Sequence, residues 1–445
     1  MRKFFSMAAL AALLLGTAGL APAQNDNYES RKLPLSMLKQ LSPRSAQSRE
    51  KFAAFGTHKR LAASRIRNFA TSGLPGVDSV VNWSDSFTEP GFDDAGNPQS
   101  VWPYTMVGNP PESGRTTFFN APVIPVVLDL LLPNGAIAVS FSAAGKDSRA
   151  AIGSPVFQPF IYNGGIGQFD DELMRNEFWE RIHPNAHGPD NGWHNVLMPR
   201  VKSTRHMRVP FFTATGGRAW FVFVDANGNP VLAAVDGNTF VNLLFPSTVP
   251  VDNSTVIGAA ELAGDMTTRD ITTLLFDNLA LFDGDISQCC TLGFHSYDFE
   301  PGDASNGNRD RRFVMNFSSW LSPGLFFFGF EDASTLSHEM SETFNDPFVN
   351  NATPWWENVD PFAGFGICQN NLETGDVIEV LTTLPVYTAS YGGQTYHLQN
   401  EAMFSWFAFQ SPSQARNGSY SFPDETTQTT LSPSGLLPGC VPSGP

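Results

Sequence analysis

The sequence predicts an α+β fold, β-rich towards its N-terminus and α+β in its C-terminal part. Three observations carry this. The runs "APVIPVVLDLLL", "AIAVSFSAA", "RAWFVFVDA" and "PVLAAVD" are dense in β-branched and aromatic residues, as strands are. Later, "DITTLLFDNLALF", "CCTLGFHSYDF" and "RFVMNFSSWL" read as three strands in succession. Directly after them "STLSHEMSETFNDP" has a helical period, with Leu336, Met340 and Phe344 on one face and His338, Glu342 and Asp346 on the opposite one.

Taken in order, the 445-residue chain opens with Arg2, Lys3 and an apolar run that ends at Ala21-Pro22-Ala23. Residues 1–23 therefore read as a secretory signal peptide, and the protein is expected to be secreted or periplasmic. The apolar run is shorter than the roughly 18 residues of a membrane span, and no later stretch reaches that length. Residues 24–74 read as a basic arm or a removable pro-segment; positions 25–74 hold ten Lys and Arg against three Asp and Glu. From residue 75 onwards the balance reverses, to 40 acidic against 15 basic residues. Such a body repels nucleic acid and anionic membranes. It suits cations, and it leaves peptide or cell-wall material as the expected substrate class.

Residues 75–264 are expected to form a β-rich domain. Within it, Asp225–Pro230 supply turn chemistry between two apolar runs, a hairpin. One helix interrupts, "DDELMRNEFWERI", acidic in its first turn and with Arg181 in its last. Residues 265–445 are expected to form the α+β domain. Four cysteines, Cys289, Cys290, Cys368 and Cys440, allow three pairings. A bridge between neighbours is strained geometry, so each of Cys289 and Cys290 is expected to bond elsewhere, to Cys368 and to the C-terminal tail.

The chemistry concentrates on the helix. Asp332 or Ser334 can cap its start, and Pro347 stops it. His338 and Glu342, at i and i+4, project together, with Glu339 one step round. Carboxylates so placed repel unless a cation joins them. The chain has no Lys or Arg between Arg312 and Arg416, so a divalent metal ion is the sensible counter-charge. In the peptidase pattern H-E-x-x-H, two ligands one turn apart hold zinc, and the intervening Glu is the general base. Here His338 and Glu342 would be the ligands and Glu339 the base. Zinc comes first; the carboxylate in place of the second imidazole opens the site to Mn²⁺ or Ca²⁺. Further ligands are sought in "LETGDVIE", at Glu373, Asp376 or Glu379, where Gly375 lets the backbone turn. Asp346 lies too far along the helix to share the ion. His295, on the strand before the helix, and Tyr396 or His397, in the last compact segment, are candidates to orient substrate or stabilise a transition state.

Strands followed by a ligand-bearing helix resemble the upper half of zincin-type domains in their order. The run "SHEMSETFNDP…W…ETGD" also resembles the plant phosphate-induced, or exordium-like, extracellular proteins. Those carry H-E-L-x-E, then N-P, a tryptophan and E-I-G-D. His338, Glu339, Glu342 and Pro347 match, followed by Trp355 or Trp356, Glu373, Gly375 and Asp376. The chain is similar, too, to a group of exported bacterial proteins that share "CCTLGFHS" and "SHEMSETFNDP". The resemblance covers roughly the last third of the chain. It implies that His338, Glu339, Glu342, Glu373 and Asp376 form one constellation, in a metal-dependent hydrolase or in a non-catalytic extracellular or wall-associated protein.

Two other segments hold metal-ligand types. "RIHPNAHGPDNGWHN" places His183, His187, Asp190 and His194 in a Pro/Gly-rich loop, expected to be polar surface. "DFEPGDASNGNRD" alternates oxygen ligands with glycine but lacks EF-hand spacing, and is expected to be a solvated connection. There is no G-x-S-x-G elbow, no P-loop and no dinucleotide fingerprint.

Overall fold

A computed structural model describes residues 27–38, 41, 76–93, 96–183, 185, 188–247, 253–326, 329–360, 365–379 and 386–431. The expected signal peptide, most of the basic arm and Cys440 lie outside the described residues. Helices and strands are both present, the strands in mixed sheets, so the chain is broadly α+β.

An eight-stranded mixed sheet forms the centre. It includes the long strand β1 (Thr116–Leu131), β2 (Thr272–Asp277), β3 (Gly293–Glu300) and β4 (Asp310–Trp320), in the order β1-β2-β4-β3. β2 runs parallel to both β1 and β4, whereas β3 and β4 pair antiparallel with His295 opposite Asn316. Along its length β1 also pairs with His194–Val201, Arg205–Val209 and Ile137–Ser142.

Strand alternation divides this sheet into two buried faces. Ile124, Val126, Leu274, Phe276, Phe294, Met315 and Phe317 enter a core that includes the helices Gly237–Leu244 and Val256–Leu262. Phe119, Val123, Leu275, Tyr297 and Val314 face the other way. There they meet α1 (Phe169–Glu177) and α2 (Ser334–Asn345), the latter through Leu336, Met340 and Phe344, all fully buried. Each of these three contributes roughly 1.5–3 kcal/mol by leaving water. The apolar stripe therefore seats α2, and the polar stripe follows from it. A last hairpin, Val386–Tyr391 with β5 (Gln394–Gln399), covers the helix near Ser337.

A second, five-stranded sheet is built from Lys32–Pro34, Trp220–Val224, Pro230–Asp236, Leu279–Phe282 and Cys289–Thr291. Trp220–Val224 and Pro230–Asp236 make the expected hairpin. The run "DITTLLFDNLALF" divides at Asn278, whose φ is 46°, and its halves join different sheets. Asn tolerates this left-handed conformation better than most residues.

Three expectations are corrected. Positions 264 and 265 do not separate two domains, because β1 and β2 pair directly across that point. The shift in composition there marks a connection, whereas the core is set by long-range pairing. Second, residues 28–38 of the supposed arm belong to the body. Arg31 is buried, with its guanidinium 3.9 Å from the Phe211 ring centre, and it donates to the Phe211 carbonyl. Lys32–Pro34 adds an edge strand and Leu38 is buried, so a basic composition here hides apolar anchors and a cation–π contact. Third, Cys289 and Cys290 are bonded to each other, with Cα atoms 3.1 Å apart across a cis peptide. The bridge closes within the strand Cys289–Thr291 and does not tie it to Cys368, whose backbone lies in the separate hairpin of Ala352–Asp360 and Phe365–Asn371.

Candidate metal centre

Three pieces of chain converge on the polar face of α2. β3 supplies Gly293 and His295 on the side opposite Phe294, so alternation alone aims the imidazole at the helix. α2 supplies His338, Glu339 and Glu342 from successive turns. Glu373, Thr374 and Gly375 lead into the short helix Asp376–Glu379 and close the group from a third side. His295, His338, Glu339, Glu342, Glu373 and Asp376 are each buried.

Glu342 sits at the middle. Its Oε1 lies 3.0 Å from His338 Nε2, and its Oε2 lies 3.4 Å from His295 Nδ1. Glu373 Oε2 is 3.7 Å from His295 Nδ1, and Asp376 Oδ1 is 3.5 Å from His338 Nε2. Glu339 Oε1 is 4.0 Å from His338 Nε2. Of the four sets among the described residues whose ligand atoms lie mutually within 4.8 Å, three are here, His338–Glu339–Glu342, His295–Glu342–Glu373 and His338–Asp376–Glu379, and the fourth is Glu331–Asp332–His397. Two ligands about 2.0–2.2 Å from a tetrahedral ion stand roughly 3.3–3.6 Å apart, so these spacings and donor types fit a divalent metal.

Two glycines make the packing possible. A Cβ on Gly375 would lie 2.3 Å from His338 Nδ1, so the ring rests directly on this backbone. A Cβ on Gly293 would come within 2.5 Å of Glu339 Oε1. Outer hydrogen bonds fix the rest. Gly375 N–H donates to Glu342 Oε1 at 3.2 Å, Gln369 Nε2 to Asp376 Oδ2 at 2.7 Å, and Asn371 Nδ2 to Glu373 Oε1 at 2.8 Å. The Ser341 and Thr374 hydroxyls share a hydrogen bond, while Gln399 ties Ser337 to the Gly375 carbonyl. Such supports orient metal ligands.

Burial alone would push the Glu342 carboxyl up, but His338 and His295 beside it hold it well below the usual carboxylate range. The neighbouring acids behave oppositely. Burial raises Asp346 to about 6, although it accepts from the Asn350 and Asn351 amides. Burial also lifts Glu401 well above its ordinary value.

A cavity of about 20 Å³ reaches His338 and Glu339, lined also by Cys290, Gly293, Phe326, Phe330 and Gln399. That is room for about one water.

Of the sequence-selected residues, His338, Glu339, Glu342, Glu373, Asp376 and His295 come together. Glu373 is a neighbour of His295, while Asp376 and the half-buried Glu379 are neighbours of His338. His397 is not among them. Its Nδ1 lies 2.7 Å from Asp332 Oδ2 and 3.3 Å from Glu331 Oε1, at the entry to α2. Asp332 is thus engaged with His397, and the helix starts after Ala333 without a side-chain cap from Asp332 or Ser334. The Tyr396 hydroxyl donates to Gln394, and its ring lines a separate, larger cleft. Glu401, which the sequence did not single out, is the acid of that last segment that lies in electrostatic reach of His338 and Glu342. A lone carboxylate in "LQNEAMFSWF" was the available signal.

The histidine-rich loop does not converge. His183 stacks on Trp179, Asp190 pairs with Arg175 and His194 with Asp171, while His187 lies outside the described residues. In the 298–310 connection Asp303 caps a short turn and pairs with Arg311. No helix among the described residues is long and apolar enough to cross a membrane. Comparison with family models, curated proteins and solved structures finds no match for this chain.

Proposed function

We propose that the protein is an exported, metal-dependent hydrolase of zincin-like design, acting on peptide or cell-wall material. One observation carries this: two buried imidazoles interleave with four buried carboxylates, and all of these except His295 come from the stretch between Arg312 and Arg416 that holds no Lys or Arg. Buried carboxylates in that number need a cation to remain ionised. His338 and Glu342 would hold the ion, with Asp376, Glu373 and His295 as the remaining donors. Zinc suits imidazole and carboxylate together, and Mn²⁺ or Ca²⁺ suits the carboxylate-rich side. A divalent ion lowers the pKa of a bound water and polarises a carbonyl. Glu339 stands at i+1 beside the one-water cavity, where it would take a proton from that water. The resemblance to exordium-like chains would group His338, Glu339, Glu342, Glu373 and Asp376 in the same way.

A second reading, a closed structural metal site in a non-catalytic extracellular protein, is favoured by the small cavity and the burial of every donor. Elemental analysis of the purified chain beside its Glu339→Gln variant separates the two. Metal retained and peptide hydrolysis lost in the variant supports the hydrolase. Metal retained with no hydrolysis by either protein supports the structural site.

A further inference from the structure

We propose that the centre holds two divalent ions bridged by the carboxylate of Glu342; this rests on the metal-dependent reading above. The donors divide into two groups around that one side chain. Glu342 Oε1 faces His338 Nε2 at 3.0 Å, and Asp376 Oδ1 approaches the same nitrogen to 3.5 Å. Glu342 Oε2 faces His295 Nδ1 at 3.4 Å, and Glu373 Oε2 approaches that nitrogen to 3.7 Å. Among the mutually close ligand sets of the described residues, Glu342 joins His338 and Glu339 in one and His295 and Glu373 in another, Asp376 joins His338 with Glu379 in a third, and no set contains both imidazoles. A single ion would leave one histidine and its carboxylate partner outside the coordination sphere.

Charge points the same way. Metal-bound imidazole is neutral, so Glu339, Glu342, Glu373 and Asp376 would together bring four negative charges into a buried volume. One divalent ion leaves half of that charge uncompensated, and two match it. His295 Nε2 is buried and without a hydrogen-bond partner. The ligands come from opposite structural sources: His295 from a strand, His338 from the helix, Glu373 and Asp376 from the two ends of one turn. Glu342 stands in a close set with each imidazole. Two ions would allow activation of the attacking water and polarisation of the substrate carbonyl to be divided between them.

The test is stoichiometry. The full-length chain is stripped with chelator, reloaded with Zn²⁺ or Mn²⁺, dialysed and assayed for metal, with far-UV circular dichroism to confirm folding. The wild type should retain two equivalents; Glu373→Gln and Asp376→Asn should each retain one; Glu342→Gln should lose both. Mn²⁺-loaded wild type should give the electron paramagnetic resonance spectrum of a coupled pair. This measurement needs no variant, so a misfolded mutant does not shield the proposal. One equivalent in the wild type, with an isolated Mn²⁺ spectrum, overturns the pair and leaves the single-ion hydrolase standing. No retained metal overturns both.

Discussion

Gly375 shows how narrow the tolerances are around His338. Its missing side chain is the surface on which the imidazole rests, with less space than any Cβ accepts. Gly375→Ala must push either the ring or the "ETGD" turn aside, a cost of about 1–3 kcal/mol for overpacking. The expected result is a lower denaturant midpoint and weaker metal retention, read by urea unfolding and by dialysis against chelator. Glu177, on α1, carries a separate prediction. Burial pushes its carboxyl up to about 8, while the Phe404 amide and the Asn345 side chain pull the other way. The unfolded carboxyl titrates near about 4.3. Between those two values the native state binds the extra proton, so stability falls as pH rises, by up to about 1.4 kcal/mol per pH unit from this group. Glu177→Gln should flatten that part of the stability profile. Unfolding curves of both proteins from acid to mildly alkaline pH would reveal an unchanged slope if the group is ordinary.

At the scale of elements, the centre depends on how α2 lies against the sheet. Met340 is fully buried and touches Asn316 of β4 through its sulfur at 3.8 Å. Met340→Ala should cost about 2–5 kcal/mol and loosen metal retention, because the same rigid helix carries His338 and Glu342. Thermal unfolding with and without chelator would separate the two effects. The helix and its two faces were legible in the sequence because period is local, whereas two of the three runs read as strands before it each divide between the two sheets. Leu336, Met340 and Phe344 declare one face, and His338 and Glu342 the other. The third side was legible only as a choice among Glu373, Asp376 and Glu379, because nothing local states which carboxylate reaches which imidazole. His295 reads in the sequence as a group that orients substrate or stabilises a transition state, and strand parity brings it beside Glu342 and Glu373. Glu401 and the Asp332–His397 pair depend on where the last hairpin docks, a long-range fact with no sequence period.

The whole molecule is organised by pairings that composition could not announce. β1 and β2 join across a point where the residue mix changes, and the run through Asn278 feeds two sheets. The cysteines follow the same rule. Peptide mapping under non-reducing conditions should recover Cys289 and Cys290 bridged within a single peptide; a cross-link from either to the Cys368 peptide would contradict the fold described. A bound ion that leaves on unfolding should raise stability by about 2.7 kcal/mol at a free concentration a hundred times its Kd. Chelation should therefore lower the melting temperature, and Zn²⁺ or Mn²⁺ should restore it.

The most direct measurement is the metal content of the purified full-length chain and its Glu342→Gln variant after exhaustive dialysis. A divalent metal ion should stay with the wild type and be absent from the variant. A metal-free wild type whose melting temperature is untouched by chelator or by added Zn²⁺, Mn²⁺ or Ca²⁺ would contradict it, and the buried group around Glu342 would then be a hydrogen-bonded network alone.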